Sequence, residues 1–222
     1  MTGPTNSEFD FDALYRGESP APGVPPITTP PWDTKAPKEN VVAWAEAGLV
    51  HGDVLDIGCG LGDNAIYLAQ QGFTVTGLDL SPTALITAER RAADAKVSVR
   101  FAVADATRLD GYDGAFDTVV DSGMYHCLDE AGKRSYAAAV HRATRPGATL
   151  LLGAFSDANL EQADWGAPTV SEEILRSTLG DAGWTITSLT SEVTRLPHTG
   201  SIRGSAGDGQ EATFWLLEAQ RG

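Results

Sequence analysis

Between residues 53 and 79 the chain reads DVLDIGCGLGDNAIYLAQQGFTVTGLD, and its chemistry-bearing residues are closely spaced there. Gly58, Gly60 and Gly62 stand between two short apolar runs, with carboxylates at Asp56 and Asp79. Glycines at such a turn let the backbone pass close to a ligand and take φ angles that a Cβ forbids. A carboxylate closing the second run suits a bidentate grip on two ribose hydroxyls. The spacing is G-x-G-x-G rather than G-x-G-x-x-G, and Asp56 lies two residues before the first glycine. A carboxylate there repels a pyrophosphate and welcomes a cationic amino group, and Asp63 pushes the same way, so a dinucleotide such as NAD is disfavoured. Further on, DSGMYHCL at 121–128 puts Asp121, Tyr125 and His126 just beyond another apolar run. An imidazole with a pKa near 6.5 suits proton transfer at neutral pH, and a phenol can line or serve the same pocket.

These groups need a scaffold, and the apolar pattern supplies one. Val54, Leu55 and Ile57 predict a strand, 64–71 a helix and 73–78 a second strand, a nucleoside-binding βαβ unit. Ser81 and Pro82 are an N-cap and N1 pair that starts a helix running to about 95. Strands are predicted at 97–104, 116–120 and over RPGATLLLGAF, with helices at 38–49, 129–144 and from Ser171 to about 182. The alternation of Trp184, Ile186, Leu189 and Val193 predicts a strand at 184–196, joined by a glycine-rich loop at 197–210 to a last strand at 213–219. Such a hairpin makes one strand antiparallel. The expected fold is an α/β, Rossmann-like, seven-stranded, mostly parallel sheet with helices on both faces.

The glycine stretch, quoted as LDIGCGLG, resembles the first motif of class I S-adenosylmethionine (SAM) dependent methyltransferases. PPWDTKAP at 30–37 is similar to the P-W-D segment of the thiopurine, halide and tellurite-type group, with Lys35 and Ala36 where that group often has glycine and arginine. DSGMYHCL resembles the fourth motif, where acceptor and methyl donor meet. The resemblance covers about residues 30–220 and implies SAM as cofactor. It places Trp32 against the cofactor, Asp105 by the adenine amino group and the Ala106 amide at a ring nitrogen. With the glycine turn and its flanks, the implied cofactor set is Trp32, Asp56, Gly58, Cys59, Gly60, Asp79, Leu80, Asp105, Ala106 and Asp121. The candidate catalytic residues are His126, Tyr125 and Tyr15. Two readings of His126 stay open, a general base for an aromatic hydroxyl and a helix cap. The aromatic N-terminus together with P-W-D and DSGMYHCL also resembles the heterocyclic-toxin O-methyltransferases. Thiol, thiopurine or halide methylation, which needs little or no base, and a non-catalytic SAM-binding module are the alternatives.

Residues 18–37 are Pro-rich and exclude a long helix or a sheet interior. Ahead of them, Phe9, Phe11, Leu14 and Tyr15 form an aromatic island behind a polar stretch at 1–8 that reads as disordered. Residues 1–37 therefore divide off as a strap or lid, and 38–222 as the methyltransferase domain. Trp165, in the polar loop 156–170, is placed to line an acceptor pocket. Aromatics at the two free surface elements favour a small aromatic or heterocyclic acceptor. Thirty acids against 16 bases give a net charge of −14, which repels phosphate backbones and argues against nucleic acid. Neither a signal peptide nor a membrane span is expected. The two cysteines, Cys59 and Cys127, give no disulfide framework and no metal-ligand spacing. A cytoplasmic monomer or homodimer is expected.

Overall fold

The computed structural model describes residues 9–162, 166–196 and 211–222. In chain order its elements are α1 (Phe11–Tyr15), α2 (Glu39–Glu46), β1 (Asp53–Ile57), α3 (Asp63–Gln70) and β2 (Thr74–Asp79). Then follow α4 (Pro82–Asp94), β3 (Arg100–Val103), β4 (Phe116–Ser122), α5 (Glu130–Ala143), β5 (Thr144–Phe155), α6 (Glu172–Asp181), β6 (Trp184–Arg195) and β7 (Glu211–Arg221). The seven strands form one sheet in the order β3-β2-β1-β4-β5-β7-β6. All neighbours are parallel except at β7, which is antiparallel to both β5 and β6. This is the expected seven-stranded, mostly parallel architecture.

Adjacent residues of the central strands point into different cores. Leu55, Ile57, Val119, Leu150 and Leu152 pack with Tyr136 and Val140 of α5 and Leu175 and Leu179 of α6. Val54, Val120 and Leu151 pack on the opposite face with Val41 and Trp44 of α2 and Leu68 of α3. Burial on both faces is why these strands read as near-continuous apolar runs. Each fully buried Leu or Ile contributes about 1.5–3 kcal/mol, so these two layers anchor the strand ends that carry the site.

Element ends depart from expectation for local reasons. The third strand begins at Arg100 rather than 97, because Lys96 takes a left-handed turn (φ +58°) on leaving α4. Helix α2 stops at Glu46, where the chain turns at Gly48 (φ +73°). In β6 the register shifts between Ile186 and Ser188, which keeps Trp184, Ile186 and Leu189 on one face of the sheet, whereas Val193, near the hairpin end of the strand, is 65% exposed rather than in the core. Phe11–Tyr15 is a short helix, N-capped by Asp10, whose carboxylate accepts from the Ala13 N–H at 2.9 Å. The expectations for residues 1–8, Trp165 and the loop 197–210 lie outside the described residues.

Candidate active site

A cavity of about 1430 Å³ opens over the C-terminal ends of the parallel strands, where open α/β sheets hold their ligands. The turn after β1 forms its floor. The N–H groups of Gly58 and Cys59 both donate to the Leu78 carbonyl at 2.8 and 3.0 Å, which fixes the turn against β2. Gly58 (φ +68°) and Gly60 (φ +52°) are left-handed, and a Cβ on either would collide with a neighbour. On Gly58 it would lie 2.6 Å from the Met124 side chain, and on Gly60 2.8 Å from the Tyr15 hydroxyl.

Asp79 ends β2 beside this turn. Its Oδ2 accepts from the Gly60 N–H and its Oδ1 from the Ser81 N–H, both at 2.8 Å. Burial raises its pKa, and these backbone N–H groups oppose the rise. Each oxygen keeps lone-pair capacity for a further donor such as a ribose hydroxyl. Leu80, 69% exposed, and Ala106 offer apolar surface next to it. Asp105 accepts from the Thr107 N–H and hydroxyl through Oδ1, at 2.8 and 2.6 Å. Its Oδ2 has no hydrogen-bond partner among the described residues, which leaves an acceptor suited to an exocyclic amine. Gly58, Cys59, Gly60, Asp79, Leu80, Asp105, Ala106, Trp32 and Tyr15 all line the cavity, so the parts a nucleoside cofactor requires are together.

Two members of the expected cofactor set lie elsewhere. Asp56 is 1% exposed beneath the turn, accepts a backbone hydrogen bond from Ala65, and leaves Oδ2 without a partner. Burial pushes its pKa up to about 7. Asp121 is fully buried, and its carboxylate accepts from the N–H groups of Gly123, Met124 and Tyr125 at 3.1, 2.8 and 3.0 Å. It shapes the loop after β4 rather than lining the cavity, and burial pushes its pKa up to about 6.

The candidate catalytic residues also divide. Tyr125 is wholly buried under α6 rather than facing the cavity. Its hydroxyl lies 2.5 Å from the Thr178 hydroxyl, which itself donates to the Ile174 carbonyl at 2.6 Å, so the Tyr125 O–H is the donor of the pair. Burial pushes its pKa up to about 12. Tyr15 does line the cavity, on the side of the glycine turn. Its hydroxyl accepts from Trp32 Nε1 at 2.9 Å, and burial together with the Asp79 carboxylate raises its pKa far above the ordinary value.

His126 lines the cavity, only 6% exposed, with its ring 4.7 Å from that of Phe155. Its Nδ1 accepts from the Phe155 N–H at 3.2 Å. Burial, helped by the Lys133 charge, pushes its pKa down to about 3. The imidazole is therefore neutral at physiological pH, and with Nδ1 used as an acceptor its proton sits on Nε2. Nε2 is a donor in that tautomer and has no lone pair with which to act as a base.

The N-terminal segment is strapped across the cofactor side. Asp12 Oδ1 accepts from the Ser81 hydroxyl at 2.5 Å and the Thr83 N–H at 3.1 Å, at the start of α4. Arg91 of α4 joins Asp33 at 3.0 Å to Asp63 at 2.9 Å. Lys38 Nζ donates to the Trp32 carbonyl at 3.0 Å. Asn40, which sequence reasoning passed over, also lines the cavity. The Ser122 hydroxyl lies 3.5 Å from its Oδ1, and its Nδ2 sits where only a glycine fits, 2.8 Å from the place of a Cβ on Gly153. A lone glycine inside the apolar run LLLGAF was the available signal, since glycine in a strand marks a close approach.

A family described as methyltransferase domain matches residues 54–147. The 2-heptyl-1-hydroxyquinolin-4(1H)-one methyltransferase of Mycobacteroides abscessus is 35% identical to the chain over 97% of its length and 98% of the relative's. The chain belongs to the SAM-dependent methyltransferases. It is such an enzyme, acting on small molecules, and SAM is its cofactor. A solved structure from work on the conversion of a disulfide bond into a thioacetal group during echinomycin biosynthesis is 40% identical (TM-score 0.80), covering 95% of this methyltransferase and 91% of that chain. The [4+2]-cyclase SpnF, 18% identical with a TM-score of 0.70, covers 100% of the chain and 97% of its own. That likeness is one of fold alone, and it shows that the fold does not fix the reaction. No helix among the described residues is long and apolar enough to cross a membrane.

Proposed function

We propose that this methyltransferase O-methylates an aromatic or heterocyclic hydroxyl that reaches the site already ionised. The observation that carries this reading is His126, neutral, with Nδ1 occupied and its proton on Nε2. A base would need a free lone pair, whereas an N–H donor stabilises an oxygen that already carries charge. Asn40 supplies a second N–H donor. Both residues border the turn at Ser122 and Gly123: Asn40 through the Ser122 hydroxyl, and His126 with its Cε1 3.4 Å from the Cβ position of Gly123. Acceptors whose hydroxyl ionises near neutral pH, such as electron-poor N-hydroxy heterocycles, suit such a site. The named activity of the M. abscessus relative is of that chemical kind.

When bound, SAM supplies an electrophilic methyl group on a sulfonium sulfur. The chain's own part is to bind, orient and exclude water. Asp79 takes the ribose hydroxyls, Asp105 the adenine amine, and Leu80 and Ala106 the faces of the ring. Residues 1–37 act as a lid over the domain at 38–222, with Tyr15 and Trp32 above the glycine turn. Met124, Phe155 and Phe214 bound the acceptor side with apolar surface. A carboxylate-rich wall around this corner favours the cationic cofactor over an anionic nucleotide.

A sulfur acceptor is the second reading. It is favoured by the same lack of a free base among the described residues and by the 40% identical relative, whose reported chemistry begins from a disulfide. The deciding experiment is S-adenosylhomocysteine release from purified protein with an N-hydroxyquinolone, an unactivated phenol, a thiol and a disulfide. The hydroxyl reading expects turnover of the N-hydroxyquinolone far above that of the phenol. Turnover confined to the sulfur compounds would replace it.

A further inference from the structure

Residues 9–37 are tied to α4 at two places. Asp12 is held at the start of the helix by Ser81 and Thr83, and Asp33 is held near its other end by Arg91. Between the two ties, Tyr15 Oη and Trp32 Nε1 come within 2.8 and 3.9 Å of the Cβ position of Gly60, over the glycine turn. Trp32 binds the Tyr15 hydroxyl, and its ring lies 6.1 Å from those of both Phe11 and Tyr15, so the two ties carry one connected piece. The Asp33 tie is the only salt bridge among the described residues that joins 9–37 to the rest of the chain. Arg91 Nη2 lies 2.9 Å from Asp33 Oδ1, and Nη1 lies 2.9 Å from Oδ1 of Asp63, the first residue of α3. All three side chains are 20% exposed or less, so solvent and salt screen these pairs weakly. Two carboxylates, one from each side of a seam, therefore share one guanidinium. Both line the cavity, whereas Arg91 stands behind them. Lys38 is the other cation at the seam, and its Nζ donates to the Trp32 carbonyl.

We infer that Arg91 is the positioning residue that latches residues 9–37 over the cofactor, so that SAM entry and S-adenosylhomocysteine release both wait on its ion pair with Asp33. The inference rests on the reading of residues 1–37 as a lid and names the group that holds the lid down. Removing the guanidinium does more than delete a tie. It leaves Asp33 and Asp63 facing each other as like charges across the seam, and their repulsion drives the segment outward. A latch and a ligand contact differ in their kinetics. A lost contact to the cofactor speeds release alone, whereas a lost latch opens the path in both directions. Arg91 acts through Asp33 and Asp63, so the signature expected of it is the second.

The test measures S-adenosylhomocysteine association and release on the immobilised full chain by surface plasmon resonance, and it needs no acceptor. Arg91→Met should speed release roughly 10- to 100-fold, the value of a hydrogen-bonded charge pair, and should speed association as well. Adding Asp33→Asn to Arg91→Met removes the repulsion and should slow release again by at least about threefold. A helix merely loosened by the loss of Arg91 has no reason to respond to a change at Asp33. Asp33→Asn alone, which lies on the segment and not in α4, should speed release roughly 3- to 10-fold, and it carries the test if melts show Arg91→Met unfolded. Unchanged release in these variants, faster release with slower association, or a double variant as fast as Arg91→Met would overturn the latch. Asp12→Ala, which cuts the other tie, separates the latch from the lid. Faster release in Asp12→Ala with none in the Arg91 and Asp33 variants leaves the lid and removes the latch. Unchanged rates in all of them remove both, and leave the choice between oxygen and sulfur acceptors untouched.

Discussion

Replacing His126 with Asn separates a donor from a base. The Asn oxygen can take over from Nδ1 as acceptor for the Phe155 N–H, now 3.2 Å away, while the Nε2–H donor is lost. One hydrogen bond to a charged oxygen is worth about 1.5–3 kcal/mol, and that charge is lost as the methyl transfers, so the loss should appear as an acceptor KM raised by up to roughly 10- to 150-fold, with folding stability little changed. His126→Ala also removes the acceptor of the Phe155 N–H hydrogen bond, a net loss of about 0.5–1.5 kcal/mol of stability. A general base lost in the same variant costs about 10²–10⁴-fold, so rate alone does not separate the readings. The pH profile does. With its pKa pushed down to about 3, the wild-type imidazole contributes no limb near pH 6.5. The acidic limb should follow the acceptor and move by the difference in hydroxyl pKa when one acceptor replaces another. The assay is steady-state S-adenosylhomocysteine release from pH 4.5 to 9 with two hydroxylated acceptors of different acidity. A limb fixed near 6.5 for both, absent in the Asn variant, would refute the reasoning and restore His126 as a base.

Asp79→Ala removes the acceptor for the ribose hydroxyls and should weaken SAM by about 1.5–3 kcal/mol, read by calorimetric titration, with NAD showing no binding to the wild type. An unchanged SAM affinity would take Asp79 out of that role. Deleting residues 1–17 removes the Asp12 contacts with Ser81 and Thr83 and the Tyr15 hydroxyl over Gly60, so SAM affinity should drop about tenfold. A rise in acceptor KM alone would show that the segment serves only the acceptor. Asp56 titrates at about 7 in the fold against 3.8 as its ordinary value, so the folded state binds more protons between those pH values and Asp56 costs stability as pH rises through them. Asp56→Asn should therefore gain stability relative to wild type from pH 5 to pH 8 in denaturant titrations, and a difference that is flat with pH would contradict that assignment.

The fold was legible because its signals are local and redundant. The glycine turn, the Ser81-Pro82 helix start and the apolar runs of β1, β4 and β5 each specify one element, and their order allows few sheets. The candidate cofactor corner was legible for the same reason, since Asp79 ends β2 and Asp105 follows β3, and both strands are located by their periodicity. What the sequence concealed was direction and environment. Asp56 and Asp121 sit at motif positions, yet both turn into the protein to hold backbone N–H groups. Tyr125 and His126 are adjacent, and a tight 3₁₀ turn sends one into the α6 core and the other to the cavity. Whether a histidine is base or donor depends on a backbone N–H 29 residues away, which no local pattern encodes. Asn40 belongs to the site through Gly153, a contact between distant segments.

Product analysis with isotopically labelled SAM tests the central claim most directly. Purified protein, methyl-labelled SAM and a 1-hydroxyquinolin-4(1H)-one should yield one labelled methyl on the acceptor oxygen for each S-adenosylhomocysteine released. Release with no labelled oxygen product, or label found only on a sulfur acceptor in the same panel, would contradict it.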